Sequence, residues 1–386
     1  MCLQNIYDVR EIEDSLVDSY ILWLQEQGIQ DKHLIGAYQK TLRNWREFHK
    51  EKEFVKLKEE MEECGTVEQT LKNKAYTFLT ENGIHSLEEI DWDVRVRYEQ
   101  YLEKTINTRI RPWYLKGLDK LKLFDLEKRS DGIRAGRIRL KYEEKRIYLG
   151  YHPDYQLAKE FYYCRNTKGF IWDFSIHTSQ KLKYQVFTVL NYALESSSDR
   201  ELRRGYLAPL HFLYMYCIDR GISDLTWLEQ DQIDDYVGKA KEVPLINNRY
   251  HQIVDKAQRI LFVQSKDINW EANVWYLERF QFDATRYDPT RPVKRISFLD
   301  ISDKDNCEYL KMYVKYQLGV TGLSVQNIRG RVYITKAFLR FLDKEELKVE
   351  KLTAAEIDRY MRVLYEAGTS ITLLPVCATE YSDRDS

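Results

Sequence analysis

The stretch that decides the fold is SVQNIRGRVYITKAFLRFLD, residues Ser324 to Asp343. Apolar residues recur in it at three- and four-residue spacings, which is typical of an amphipathic helix. The predicted inward stripe is Val325, Ile328, Val332, Phe338, Leu339 and Leu342. The basic residues that lie away from this stripe are Arg329, Arg331, Lys336 and Arg340. The stretch therefore predicts a helix that buries one side and carries basic residues elsewhere.

The pattern of this stretch, together with the residues that follow it, occurs again earlier in the chain. A constant shift along the sequence places Leu210, Tyr214, Met215, Ile218, Asp219, Leu228, Ile233, Asp234 and Tyr236 on Ile334, Phe338, Leu339, Leu342, Asp343, Leu352, Ile357, Asp358 and Tyr360. A looser match at a longer shift pairs Phe78, Gly83, Ile84, Leu87, Ile90 and Tyr98 with Tyr216, Gly221, Ile222, Leu225, Leu228 and Tyr236. The period is too long for a solenoid of short repeats. Separate small helical domains are predicted instead.

Composition places the chain among globular proteins. It has 386 residues, of which 44% are hydrophobic and 31% charged, so two or three domains with cores of their own are expected. No apolar run is long enough for a membrane span, and the first residues lack the order of a secretory signal. The six cysteines are scattered, without a Cys-x-x-Cys pair. We therefore expect a cytoplasmic protein with no cofactor, no metal and no membrane partner.

The net charge of −1 gives no overall attraction to nucleic acid, so any such binding must come from local patches. One patch runs from Lys128 to Arg146. Within it, apolar and basic residues alternate from Arg137 to Tyr142, and a second strand from Lys145 to Leu149 is predicted to complete a basic β-hairpin. A solvated hairpin between domains is one interpretation. The other is a ribbon that lays Arg137, Arg139 and Lys141 along a phosphate backbone.

The fold class predicted is mainly α, with tandem small helical bundles and one basic β-hairpin insert. The predicted segments are an N-terminal helical domain at 1–127, the hairpin and connector at 128–160, a middle domain at 161–290 and a C-terminal domain at 300–386. The fourth helix of the C-terminal domain is expected to be missing or degraded. Phe282 to Pro292, with two prolines, is the expected linker.

The order of these features resembles the N-terminal core-binding domain of tyrosine recombinases, the phage-integrase family. The likeness is best over Lys304 to Gly368, moderate over Gln180 to Val263 and weak over Glu68 to Phe124. In that family the domain is a bundle of short helices that clamps double-stranded DNA. The resemblance implies DNA contact by Asn327, Arg329, Arg331, Lys336 and Arg340, and through the repeat by Arg203 and Arg204. A solvated helix face is the alternative interpretation of the same charges.

The departures from the family concern catalysis. Family members cut DNA with a tyrosine nucleophile, supported by arginines, a lysine and a His-x-x-Arg box. No histidine of this chain has an arginine three residues later. We therefore expect no enzymatic activity and no catalytic residue in this polypeptide. A truncated mobile-element gene is the expected origin, and an evolved accessory protein is the alternative.

The predicted function is double-stranded DNA binding in site-specific recombination or integration. A full-length recombinase or further protomers are additional expected partners. The rival is a helical protein-interaction scaffold without DNA contact. A continuous basic face formed by Arg329, Arg331, Lys336 and Arg340 would favour DNA, and mixed charge or apolar patches would favour the scaffold.

Overall fold

The structure is a computed structural model that describes residues 14–130, 138–163, 169–242, 249–283, 285–290 and 292–366, with backbone only at 14–16, 45–52 and 199. The chain divides into two compact units, Met1–Ser175 and Ile176–Ser386. The boundary between them lies inside the predicted middle domain 161–290. Most of that domain shares a unit with the predicted C-terminal domain.

The regular structure described in the first unit is helical apart from one short strand pair. Its helices are α1 (Asp14–Glu26), α2 (Lys32–Glu53), α3 (Val55–Glu63), α4 (Gln69–Glu81), α5 (Trp92–Thr105), α6 (Arg111–Lys128) and α7 (Tyr155–Tyr162). Its strands are β1 (Arg146–Tyr148) and β2 (Ile171–Asp173). Asp91 caps α5 by accepting the Val94 N–H, and Pro112 occupies the first turn of α6.

The second unit contains two bundles and another strand pair. Its helices are α8 (Gln180–Ser196), α9 (Asp199–Glu201), α10 (Ala208–Asp219), α11 (Gln230–Glu242), α12 (Arg249–Gln264), α13 (Lys304–Gly319), α14 (Val325–Lys344) and α15 (Ala354–Glu366). A π-helical stretch, Leu202–Leu207, joins α9 to α10 into one long helix. The strands are β3 (Val274–Tyr276) and β4 (Arg295–Ser297). The mainly α prediction is confirmed, while the predicted degraded fourth helix falls after Glu366, outside the described residues.

One arrangement of a long helix, a short 3₁₀ helix and another helix occurs three times. The long helices are α4, α9 continued by α10, and α14. The 3₁₀ helices are Leu87–Glu89, Leu225–Trp227 and Val349–Lys351, and the helices that follow them are α5, α11 and α15. The offset from Leu87 to Leu225 is that of the looser sequence match, and the offset from Leu225 to Val349 is that of the better one. The looser match thus corresponds to a structural repeat. We call the three copies the first bundle (α3–α6), the middle bundle (α8–α12) and the third bundle (α13–α15).

A left-handed residue ends the long helix of every copy. The N–H of Ile84 donates to the Leu79 carbonyl, that of Ile222 to Cys217 and that of Leu347 to Leu342, each at 2.9 Å. This is a Schellman-type ending, in which the residue before the donor has a positive φ. These residues are Gly83, Gly221 and Glu346. Leu342 therefore corresponds to Cys217, and the predicted pairing of Leu342 with Ile218 is one residue out.

The first helix of every bundle supplies an acceptor for the 3₁₀ helix. Glu60 Oε2 accepts the Leu87 N–H at 2.8 Å. Gln185 Oε1 accepts the Leu225 N–H at 2.8 Å, and Asn306 Oδ1 accepts the Val349 N–H at 3.1 Å. An unpaired buried N–H is costly, so these contacts fix the turn against α3, α8 and α13 respectively.

A ring pair ties the long helix to the helix after the turn in each copy. The ring centroids are 5.0 Å apart for Phe78 and Tyr98, and 5.3 Å for Tyr216 and Tyr236. The third copy pairs Phe341 with Tyr360 at 5.2 Å. The tyrosine after the turn is buried in all three copies, so these rings belong to the cores.

A two-stranded antiparallel ribbon follows the first and the middle bundle. In β1 and β2, Ile147 lies opposite Trp172, and in β3 and β4, Trp275 lies opposite Ile296. The ribbons share flanking bonds, from the Leu149 N–H to the Phe170 carbonyl at 2.8 Å and from the Leu277 N–H to the Lys294 carbonyl at 2.9 Å. The tryptophan lies on the second strand of the first ribbon and on the first strand of the second ribbon. In both ribbons it faces an isoleucine.

The predicted basic hairpin is wrong for its described residues. Residues 138–145 contain no strand, and the strand at Arg146–Tyr148 pairs with Ile171–Asp173 instead. The physical reason is burial, because Trp172 and Phe170 are almost fully buried whereas Ile138 and Leu140 are only half-buried. Arg137 lies outside the described residues.

The second ribbon and the third bundle share one hydrophobic core. Trp275 and Phe298 pack in the same cluster as Leu310, Ile328 and Leu339. The expected linker, Phe282 to Pro292, lies between the two ribbon strands rather than in a loose connection. Phe282 packs against this core, and Arg286 Nε donates to the Leu323 carbonyl at 3.1 Å.

Candidate nucleic-acid interface

α14 buries the stripe that the sequence predicted. Its buried residues are Val325, Ile328, Val332, Phe338, Leu339 and Leu342. Ser324 caps the helix, since its Oγ accepts the Asn327 N–H at 3.3 Å. Asn327, Arg329 and Arg340 are exposed, whereas Arg331 and Lys336 are half-buried. The predicted contact residues of α14 therefore differ in how much of each side chain is exposed to solvent.

The four basic residues of α14 do not form one continuous face. At about 100° per residue, Arg329, Lys336 and Arg340 fall within about 40° of arc. Arg331 lies about 140–180° from them. The structure thus divides the predicted site into one flank with three cations and another with Arg331 and Asn327.

An acidic residue lies beside the three-cation flank. Lys336 forms an ion pair with Asp300, and the Lys336 side chain is only 12% exposed. Arg340 Nε lies 4.0 Å from Asp300 Oδ2, and its side chain remains 46% exposed. Lys336 is therefore mostly buried and already paired with Asp300. Arg329 and Arg340 are the more accessible cations of this flank.

The long helix of the middle bundle carries Arg203 and Arg204, which are both exposed. Ser198 Oγ accepts the Glu201 N–H at 3.4 Å, which makes Ser198 the equivalent of Ser324. Arg203 follows Ser198 by five residues, and Arg329 follows Ser324 by five residues. The two arginines are therefore the same number of residues from the capping serines of equivalent helices.

The π-helical stretch explains a difference in length between these helices. The segment from Ser198 to Cys217 is one residue longer than the equivalent segment from Ser324 to Leu342. A π-bulge accommodates one additional residue in a helix. The bulge at Leu202–Leu207 thus absorbs the difference, so that the caps and the buried ends of both helices stay equivalent.

Glu201, two residues before Arg203, forms ion pairs with two basic residues of α12. Its carboxylate accepts from Arg249 Nη1 at 2.7 Å and from Lys256 Nζ at 2.6 Å. The hydrogen bond from Lys256 is the main cause that lowers the pKa of Glu201. A Cβ on Gly205 would clash with Glu201 Oε1, so glycine leaves room for the carboxylate.

Sequence reasoning missed Arg249 and Lys256 because they lie 48 and 55 residues from Glu201 along the chain. Their spacing of seven residues places both on one side of α12, which was the available signal. They support the helix that carries Arg203 and Arg204.

The remaining predicted contacts lie in the first unit. Arg139 and Lys141 are exposed and belong to an irregular segment, not to a ribbon strand. Arg146 of β1 forms an ion pair with Asp173 of β2 at 3.0 Å. The structure therefore does not place Arg139 and Lys141 on a strand from which they could follow a phosphate backbone.

The described residues also bear on metal sites and membrane spans. No group of three or more His, Cys, Asp and Glu side chains there could hold a metal ion. No helix in that part of the chain is long and apolar enough to cross a membrane. No protein-family model, curated protein or solved structure matches the chain. The recombinase resemblance remains a prediction.

Proposed function

We propose that the chain binds double-stranded DNA through its middle and third bundles. The observation that carries the proposal is the equivalent position of Arg203 and Arg329, five residues after a capping serine in repeated helices. Arg204, Asn327, Arg331 and Arg340 would extend the contacts. A guanidinium group can bind a phosphate or a guanine edge through two hydrogen bonds, which suits both positions to this role.

The recombinase resemblance supports a role in site-specific recombination or integration of a mobile element. In this proposal the chain supplies DNA contact and does not cut DNA. A full-length recombinase or other protomers would act on the same DNA. Arginines that neutralise phosphates release counterions, so affinity should fall as salt rises.

A protein-interaction scaffold is the second candidate, and two observations favour it: the basic residues of α14 do not form one continuous face, and an apolar surface is exposed on α13. Met312 and Tyr316 of α13 and Val320, which directly follows it, are spaced four residues apart and are all more than half exposed. With Trp270 and Lys315 they line a shallow depression of about 410 Å³. Exposed apolar surface of this kind often marks a protein contact.

The test is duplex binding by a variant with Arg203→Ala and Arg329→Ala, measured across a salt series. We expect weaker binding and a slope of log affinity against log salt that is shallower by about 2, because two phosphate contacts are lost. The matched control is Arg220→Ala with Arg359→Ala, since these arginines form ion pairs with Asp235 and Glu345 in the same two bundles.

The control should retain both the affinity and the salt slope of the unchanged protein. An equal loss in both variants would show that total charge matters rather than these positions. Absence of duplex binding by the folded, unchanged protein would leave the scaffold, and substitution of Tyr316 would then be the next experiment.

A further inference from the structure

The solvent face of α6 in the first bundle combines cations with an exposed indole. The residues of this α6 stripe are Arg109, just before the helix, and Trp113, Lys116 and Lys120 within it. The three basic residues are exposed, and Trp113 is 41% exposed. Trp113, Lys116 and Lys120 lie within about 60° of arc, so they share one side of the helix.

The opposite side of α6 is fully engaged in the core. Leu115, Leu118 and Leu121 are buried there, and Gly117 lets the helix approach Leu71 of α4 closely. The α6 stripe is thus the side that the fold leaves outward. Trp113 packs edge-on against Tyr114, with ring centroids 5.2 Å apart, and the exposed part of its indole is available for a ligand.

The carboxylates of α6 are bound by other groups. Asp119 is buried and accepts from Arg95 Nε at 2.8 Å and from the Tyr151 hydroxyl at 2.6 Å. Asp125 is also buried and pairs with Lys122 of the same helix and with Arg129, which directly follows the helix. Glu127 lies in line with the stripe two turns beyond Lys120, but it accepts from the Tyr155 hydroxyl at 2.7 Å.

The cations of the α6 stripe have no acidic partner among the described residues. The carboxylate nearest in sequence to Arg109 is Glu103, which pairs with Arg111 Nη1 at 3.0 Å. No described carboxylate forms an ion pair with Arg109, Lys116 or Lys120. Their charge is therefore directed to solvent.

We propose that this stripe binds single-stranded nucleic acid. Lys116 and Lys120 are one helical turn apart and can hold successive phosphates, and Arg109 extends that run beyond the helix start. Trp113 lies between Arg109 and Lys116, where an unpaired base can stack on it. Cations that track the backbone, interleaved with an aromatic platform, are the combination that single strands require.

A duplex fits the stripe less well, because its bases are already stacked and offer no face to Trp113. The proposal concerns the first unit and does not depend on the duplex contacts of Arg203 and Arg329. It gives the N-terminal bundle a ligand of its own.

The experiment measures binding of the full chain to a fluorescent oligodeoxythymidine of about 20 nucleotides, long enough for one site, by anisotropy across a salt series. In a variant with Arg109, Lys116 and Lys120 changed to alanine, the salt slope should become shallower by about 2, since each single-strand phosphate contact contributes about 0.7.

The indole is tested separately from the cations. Trp113→Ala should weaken oligonucleotide binding about tenfold and leave the salt slope unchanged, because stacking releases no counterions. Trp113→Phe should restore most of the affinity, since phenylalanine also offers a face for stacking. An unaltered affinity in Trp113→Ala would overturn the proposal.

The matched control changes Arg97, Lys56 and Lys159 to alanine. These three exposed cations of the same unit contact Asn82, Glu60 and the Tyr155 ring respectively, and their loss changes the net charge equally. The control should bind as the unchanged protein does, and equal losses in both triple variants would overturn the proposal.

Two further outcomes would also overturn it. One is the absence of oligonucleotide binding by the folded, unchanged protein. The other is binding to anionic phospholipid vesicles without binding to the oligonucleotide, which would favour a membrane surface. Duplex binding should persist in the stripe variants, so a failure here is distinguishable from a failure of the duplex proposal.

Discussion

Single residues decide how each long helix ends. The first two copies use glycine at the left-handed position, with φ of 67° at Gly83 and 65° at Gly221, but the third uses Glu346 at 54°. A side chain in this region meets its own backbone, whereas glycine adopts it without that cost. The third bundle therefore carries local strain that the other two avoid.

Glu346→Gly should stabilise the second unit by about 0.5–1 kcal/mol, because relief of the left-handed strain exceeds the entropy that glycine adds to the unfolded chain. Urea unfolding measures the change. Glu345→Gly is the control, since Glu345 has φ of −90° and gains nothing from glycine. If both substitutions shift stability in the same direction, strain at Glu346 is not the cause.

Lys122 is a buried cation with several acceptors. Its Nζ donates to the carbonyls of Leu87 at 3.0 Å and Glu88 at 2.6 Å, and contacts Asp125 at 3.4 Å. Desolvation is the main cause that lowers its pKa. Lys122→Met should destabilise the first unit by about 1–3 kcal/mol, because both carbonyls lose their donor.

The same lysine should give a pH signature. Between the lowered folded pKa and the ordinary value of 10.5, the unfolded chain binds more protons than the folded one. The contribution of Lys122 to stability therefore rises as pH rises through this window. The difference in unfolding free energy between the unchanged protein and Lys122→Met should grow with pH, and a constant difference would contradict the assignment.

At the scale of elements, periodicity predicted the helices well. All six residues predicted to face inward on α14 are buried, and Ser324 caps this helix as the first residue of the predicted stretch. A long helix repeats its signal over several turns, so the prediction rests on many residues.

The ribbons were harder to predict because each strand has three residues and its partner lies far along the chain. Alternation around Ile138 and Leu140 predicts a strand, but pairing depends on the apolar surface of Trp172, which no local pattern reveals. The candidate site shows the same limit, since Asp300 and Lys336 are 36 residues apart. The sequence supplied the cations, and the fold determined which of them are paired.

The π-helical stretch allows a test of how one element supports another. Gly205→Ala places a methyl group against the Glu201 carboxylate and should displace it from Arg249 and Lys256. These groups are partly exposed, so the expected loss is about 1 kcal/mol or less after solvent screening. A double-mutant cycle with Glu201→Ala measures it by urea unfolding. In the Glu201→Ala background, Gly205→Ala should cost nothing, and an equal cost in both backgrounds would exclude the carboxylate as the cause.

At the scale of the whole molecule, each unit contains one ribbon with a buried tryptophan. Trp172 belongs to the first unit and Trp275 to the second, and both are completely buried. Trp275→Ala should destabilise the second unit by about 3–5 kcal/mol, because it removes a large side chain from the core that includes Phe298 and Leu310. Trp172→Ala should do the same to the first unit.

Hydrogen exchange followed by mass spectrometry distinguishes the two responses, since it reports protection for each segment. Trp275→Ala should reduce protection in α13 and α14 and leave α4 and α6 unchanged. Equal loss of protection throughout the chain would show that the two units unfold as one.

The pairing within the ribbons has a consequence for how the chain can change over evolution. The first residue of β3 lies opposite the last residue of β4, so the chain leaves the ribbon beside the point where it entered. The same holds for β1 and β2, although the segment between those strands is the longer of the two. Each ribbon holds together the two ends of the segment between its strands. That segment can therefore change in length while its two ends stay side by side. An insertion, natural or engineered, between β3 and β4 that keeps Phe282 and Arg286 in their contacts would thus leave α12 and α13 at their present spacing.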